Sequence, residues 1–165
     1  AIQAIEDADL VLIAPGDLYT SLGPLLIIDE IGRALQSTNA IIVYVANLVT
    51  KHGQTDGFRI SDHANEIERF AGGPVLDYVL YNQQAPSTNL ADKYRETEGA
   101  FTVKADIENL ATAHYKAVGG NFLGEIAEPV PGDAIPVTRS LIRHDPDSVA
   151  SAIIELYDYA LKPKR

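Results

Sequence analysis

Two short, strongly apolar runs constrain this chain most: Leu10-Val11-Leu12-Ile13 and Ile41-Ile42-Val43-Tyr44-Val45. Successive residues of a strand face opposite sides, so a run without polar alternation needs cover on both faces. Such runs read as buried strands of a parallel sheet. Each leads into a polar loop, Ala14 to Ser21 after the first and Asn47 to Phe58 after the second. In an open parallel sheet, ligands bind in the crevice beyond the carboxyl ends of the strands. The second loop also exceeds the length of roughly two to six residues usual in α/β units. Two elaborate loops at that edge point to a binding cleft.

The remaining punctuation alternates helix with strand. Pro24 stands where a helix would begin, with Ser21 as a nearby cap, and Leu25, Ile28, Ile31 and Leu35 follow at helical spacing. Ser61-Asp62-His63 reads as the cap of a second helix, whose face is Ala64, Ile67 and Phe70 and whose end is Gly72-Gly73-Pro74. Val75 to Tyr81 reads as a third strand, Leu90 to Glu96 as one or two helical turns, and Ala100 to Lys104 as a short strand. Asp106 can cap a helix running to about His114. The segment Gly119 to Pro136, rich in glycine, proline and acid, supports no assignment. Val137 to Arg143 reads as a last strand. Asp145-Pro146 opens a terminal helix with Val149, Ala152, Ile153, Leu156 and Tyr157 on one face, ending near Leu161. Alternation of this kind predicts an α/β fold with a mainly parallel sheet. Residues 1–165 form a single α/β domain, or the C-terminal part of one.

Charge narrows the partners. A net charge of -10 over 165 residues argues against a nucleic-acid or anionic-membrane surface. No run of eighteen apolar residues is present, so no membrane span is expected. Cysteine is absent, which removes disulfide and thiol chemistry and fits a cytoplasmic location. The opening segment, Ala1 to Asp9, reads as the end of a helix leading into a strand, which suggests a fragment of a larger domain.

Chemistry could sit in three places. Asp17, Tyr19, Thr20 and Ser21 precede a helix, where free backbone N–H groups favour an anion such as a phosphate. The plain alternative is that Thr20 and Ser21 cap that helix. The second loop offers Asn47, Thr50, Lys51, His52, Thr55 and Asp56. Asp56 could hold a metal or a sugar hydroxyl, or simply make a turn before Gly57. Arg143-His144-Asp145 offers a guanidinium suited to a phosphate, or a surface arginine beside a helix cap. The four histidines lack the close spacing of a zinc helix site, and no metal is assigned. Without a Gly-x-Ser-x-Gly elbow, a hydrolase is not supported. The Gly-x-Gly-x-x-Gly fingerprint is absent as well.

Taken together, these segments resemble the gluconeogenesis-factor family (YvcK-type), whose relatives include the 2-phospho-L-lactate transferases (CofD-type). Ala14 to Ser21 matches the family's Gly-Pro-Gly-Ser-Leu-Tyr-Thr-Ser loop, and Asn47 to Phe58 its Asn-Leu-Met-Thr and Gly-Glu-Thr-Asp-Gly-Phe loop. Ser61 to His63, Lys93-Tyr94 and Arg143 to Asp145 match further short motifs. Ala14, Asp17, Val49 and Gln54 depart from the pattern, and Asp17 adds a carboxylate that could repel a phosphate or recruit a cation. Ser21-Leu22-Gly23-Pro24 leans toward the transferase branch. The chain resembles only the family's C-terminal half. A Gly-Gly-Gly-Thr-Gly phosphate loop belongs to the other half.

The resemblance implies a Rossmann-like three-layer α/β/α sandwich. It implies a regulatory protein of carbon metabolism and cell shape that binds a UDP-sugar such as UDP-N-acetylglucosamine. The other branch implies a transferase moving a phospholactyl group onto a deazaflavin with Mg2+. The ligand-binding residues it points to are Asp17, Leu18, Tyr19, Thr20, Ser21, Asn47, Thr50, Thr55, Asp56, Tyr94 and Arg143. Tyr94 and Arg143 fall on sugar-nucleotide contacts. No catalytic residue is assigned. The expected partner is the nucleotide sugar itself, with either a homo-oligomer or a separately supplied N-terminal half completing the fold.

Overall fold

The computed structural model describes residues 1–125 and 142–161. Its elements in chain order are α1 (Ile2–Glu6), β1 (Leu10–Ile13), a π-helical turn (Leu18–Leu22), α2 (Gly23–Leu26) and α3 (Asp29–Ser37). Next come β2 (Ile41–Val45), α4 (Ile60–Ala71), β3 (Tyr78–Asn82), α5 (Thr88–Glu98), α6 (Ile107–Thr112), β4 (Lys116–Gly120) and α7 (Pro146–Leu161). The four strands form one sheet in the order β1-β2-β3-β4, every pair parallel. Leu10 stands opposite Ile41 and Ile13 opposite Tyr44, so the two predicted runs are neighbours in register. Their loops leave from the same edge of the sheet.

Strand β2 shows why its sequence lacks polar alternation. Ile42 and Tyr44 point into one core with Ala64 and Ile67 of α4 and Leu35 of α3. Val43 and Val45 point into a second core with Leu80, Phe122 and Leu156 of α7. Helices therefore cover both faces, and the fold is a Rossmann-like α/β/α arrangement. Strand β1 is one of the sheet's two outer strands among the described residues, and its Leu12 is 45% exposed. No helix among the described residues is long and apolar enough to cross a membrane.

Several local expectations change. The helix expected from Pro24 is broken: Ile28 is extended (ψ 117°), which ends α2 and starts α3 afresh. Leu25 and Ile28 consequently lie in the open, 62% and 45% exposed, instead of on a buried face. Ser21 is not a cap. It sits inside the π-helical turn, with its N–H donating to the Asp17 carbonyl. Ser61 is not a cap either, because the helix starts one residue earlier. The Asp62 carboxylate accepts from the Arg59 N–H at 2.8 Å instead. Strand β3 begins at Tyr78, not Val75: the Val75 and Leu76 N–H groups are bound by the Glu68 carboxylate at 2.8 and 3.0 Å. Helix α5 is longer than expected, with Ser87 as its cap. Residues 100–104 make isolated bridges with Val49 of the second loop and with Arg59 at the start of α4, instead of a strand of the sheet.

Strand β4 lies partly in the segment left unassigned. Its Gly119 and Gly120 signal a loop in sequence, but here they make room for neighbours. A Cβ on Gly119 would sit 2.5 Å from Gln83 Cδ, and one on Gly120 2.6 Å from the Phe122 ring. Most of the last strand expected over Val137 to Arg143 lies outside the described residues; Ile142 and Arg143 are non-helical, and His144 forms an isolated bridge with Leu123. The terminal helix is present as expected, with the Asp145 carboxylate accepting from the Ser148 N–H at 2.7 Å.

Candidate functional site

The loops after β1 and β2 are tied to each other by Asn47. Its Oδ1 accepts from the Tyr44 hydroxyl at 2.9 Å, and its Nδ2 donates to the Gly16 carbonyl at 2.8 Å. Tyr44 is fully buried in β2, so the tie is anchored in the core. Burial raises the Tyr44 phenol's pKa, which keeps it a neutral donor. Asp17 in the first loop meets Lys51 of the second, Nζ to Oδ2 3.7 Å, so the added carboxylate finds its cation within the chain.

The first loop is fastened to α4 as well. Tyr19 donates its hydroxyl to Glu66 at 3.2 Å and lies edge-on to Phe70 at 5.8 Å. Leu18 is a core residue, 1% exposed. Thr20 meets the Asp17 carboxylate at 3.5 Å. A π-helical turn is rare and often marks a functional segment.

The second loop keeps its shape through side chains that face inward. Thr55 Oγ1 accepts from the Lys51 N–H at 2.8 Å. Thr50 Oγ1 accepts from the Phe101 N–H at 3.0 Å, while the Thr50 N–H donates to the Phe101 carbonyl at 2.7 Å. Both threonines are nearly inaccessible. Asp56 takes the turn role: Oδ2 accepts from the Gly53 N–H at 2.7 Å, and Oδ1 lies 3.4 Å from His52 Nδ1.

Beyond the ends of β2 and β3 lies a cleft of about 440 Å³. Asn47, Gln83, Gln84, Thr102 and Lys104 give its polar lining, and Leu48, Ile107, Leu123 and Ile142 an apolar wall. Asn82 also lines it but is occupied, bonding to the backbone of Gln84 and Phe122. Of the eleven residues expected from sequence, only Asn47 lines this cleft. Tyr94 and Arg143 are nevertheless brought to adjacent positions. The Tyr94 ring is buried against Ala100 and Ile142, and its hydroxyl accepts from the Ile142 N–H at 3.1 Å. The next residue is Arg143, whose Nε is buried with no hydrogen-bond partner among the described residues. His144 Nε2 reaches the Ala46 carbonyl at 3.2 Å, at the end of β2; burial lowers its pKa, partly offset by that carbonyl.

Sequence reasoning missed Lys104 and the polar side chains after β3. The sequence marks out Ala100 to Lys104 only as a short strand; that it and the segment after β3 close over the sheet edge depends on contacts distant in sequence. Among the described residues, no group of three or more histidines or carboxylates comes together to hold a metal.

Residues 1–123 match the pattern of the 2-phospho-L-lactate transferase CofD family. The chain belongs to the CofD family. Relatives within reach of that family carry another description. A provisional gluconeogenesis factor of Clostridium acetobutylicum is 38% identical over 154 residues, covering 93% of this chain and 31% of the relative. The gluconeogenesis factor of Bacillus subtilis is 33% identical over 155 residues, covering 94% of this chain and 45% of the relative. Crystal structures of a Bacillus halodurans protein of the UPF0052 family superpose with TM-scores of 0.80 and 0.78 at 30% identity, covering 93% of this chain and 45% of that one. This CofD-family chain thus spans from 30% to 46% of the length of the curated relatives it matches.

Proposed function

We propose that the carboxyl edge of this sheet contributes to a site for a nucleotide sugar of the UDP-N-acetylglucosamine class, in a cytoplasmic ligand-sensing protein of carbon metabolism and cell shape. The observation that carries the reading is the Asn47 tie, which holds the β1 and β2 loops together beside a cleft at the edge where parallel sheets bind ligands. The description of the Bacillus subtilis relative supports the regulatory side. Calorimetric titration of UDP-N-acetylglucosamine into this chain, and into a longer protein containing it, tests the reading. Heat of binding that saturates at one ligand per chain supports it. No binding by either protein removes it.

A second reading has its own support, since the family carries the description of a phospholactyl transferase. That activity would bring Mg2+, which is held by carboxylates and substrate phosphates. Asp17 and Asp56, the loop carboxylates here, are engaged by Lys51 and by Gly53 with His52. They do not form a magnesium site. Formation of a phospholactyl-deazaflavin from donor and acceptor would establish the transferase reading.

A further inference from the structure

Lys104 lines the cleft, and Arg59 stands beside it. They are partners in a parallel bridge, and the Ile60 N–H donates to the Lys104 carbonyl at 3.1 Å. Bridge partners carry their side chains on the same face, and like charges placed so are destabilising. Among the described residues, Arg33, Lys51, Arg69 and Arg95 each meet a carboxylate, and Lys116 lies over the Tyr159 ring. Neither Arg59 nor Lys104 has a carboxylate partner among the described residues.

The nearby acids are committed elsewhere. Asp62 accepts from the Arg59 backbone N–H, not from its guanidinium. Asp106 is buried and takes its donors from Ser61 and Asn109. Lys104 is also the one Lys, Arg, Asp or Glu among the described residues that line the cleft. On a chain of net charge -10, a lining whose described residues hold one cation and no carboxylate, with a second cation beside it, selects for negative charge.

We propose that Arg59 and Lys104 form an anion clamp at the mouth of the cleft and hold the phosphate of its ligand. This deepens the nucleotide-sugar reading and rests on it for the identity of that ligand. A guanidinium can grip a phosphate in fork geometry while the ammonium supplies a second, mobile charge. The amide and apolar lining then remains for the uncharged part of the ligand.

The test compares the unaltered protein, the double variant Arg59→Gln with Lys104→Gln, and Lys104→Arg. Both side chains are exposed, so all three should unfold cooperatively, the double variant no earlier than the unaltered protein once the like-charge pair is gone, which confirms folding. UDP-N-acetylglucosamine is titrated by calorimetry at two salt concentrations, and inorganic pyrophosphate by amide NMR. The clamp predicts that the double variant loses about tenfold or more in affinity and much of the salt dependence, while Lys104→Arg retains both. Equal affinity of the unaltered and double-variant proteins for the nucleotide sugar overturns the clamp and leaves the nucleotide-sugar reading standing. Pyrophosphate shifts at Arg59 and Lys104 without nucleotide-sugar binding support the clamp and remove that reading. Silence with both probes overturns both.

Discussion

Asn47 and Gly16 are joined by a 2.8 Å hydrogen bond that spans the ends of two adjacent parallel strands. The same carboxamide accepts from Tyr44, a core residue. One side chain thus couples the packing of the sheet to the position of both loops at the carboxyl edge of β1 and β2.

Replacing Asn47 by Ala should destabilise the fold by about 1–3 kcal/mol, because the buried Tyr44 hydroxyl is left without its acceptor. Asn47→Asp keeps an acceptor for Tyr44 but loses the donor to Gly16, so it should cost less. Urea unfolding of the two variants checks the ordering. Equal stability of Asn47→Ala and the unaltered protein would show that the tie contributes nothing.

Gly32→Ala sets two effects against each other. Alanine gains about 1 kcal/mol of helix propensity over glycine in α3. Its Cβ, however, would stand 2.7 Å from the Ala71 carbonyl oxygen. That neighbour is backbone of α4 and cannot turn aside, and overpacking costs about 1–3 kcal/mol. The variant should be net destabilised, with a lower midpoint of thermal unfolding. A raised midpoint would mean that the two helices separate freely.

Glu68 collects three donors, the Val75 and Leu76 N–H groups and His114 Nε2 at 2.9 Å. Removing the carboxylate in Glu68→Ala strands two buried backbone donors. A loss of about 2–4 kcal/mol is expected, read by chemical denaturation. Glu68→Gln retains an acceptor and should lie between the two.

Acid should weaken the fold through two histidines. Burial lowers the pKa of both His63 and His144 from 6.5, and the carbonyls of Arg59 and Ala46 offset this only in part. The folded state therefore binds protons less readily than the unfolded chain. The stabilisation is complete above the unfolded value of 6.5 and is lost as pH falls through it towards the lower folded values. His63 is nearly inaccessible, and its Nε2 lacks a partner among the described residues. His63→Gln should flatten the slope of stability against pH below that point, even if it lowers stability overall. An unchanged slope would assign the pH dependence elsewhere.

Arg143→Ala should weaken nucleotide-sugar binding by about tenfold or more, the worth of a charge-assisted contact. Tyr94→Phe tests the other residue singled out by resemblance. Its hydroxyl holds the Ile142 N–H next to Arg143, so its removal should lower affinity with a smaller effect than Arg143→Ala. Calorimetry that finds both variants unchanged would take this corner out of the site.

The sequence alone determined the parallel, doubly covered strands. Ile41 to Val45 has no polar alternation, and only a sheet packed on both sides can bury it. It also carried the wording of the two loops, the Asp145 cap and the face of α7, because these depend on neighbours a few residues apart. Tertiary structure decided what rests on distant partners. Ile28 breaks a helix whose spacing reads as continuous. Gly119 and Gly120 belong to a strand because Gln83 and Phe122 need the space beside them. Ser61 bonds to Asp106 instead of capping its helix. Arg59 and Lys104 become neighbours only because residues 100–104 fold back on the second loop. Local patterns fix which faces must be buried, and the identity of what covers them is settled only when the chain has closed on itself.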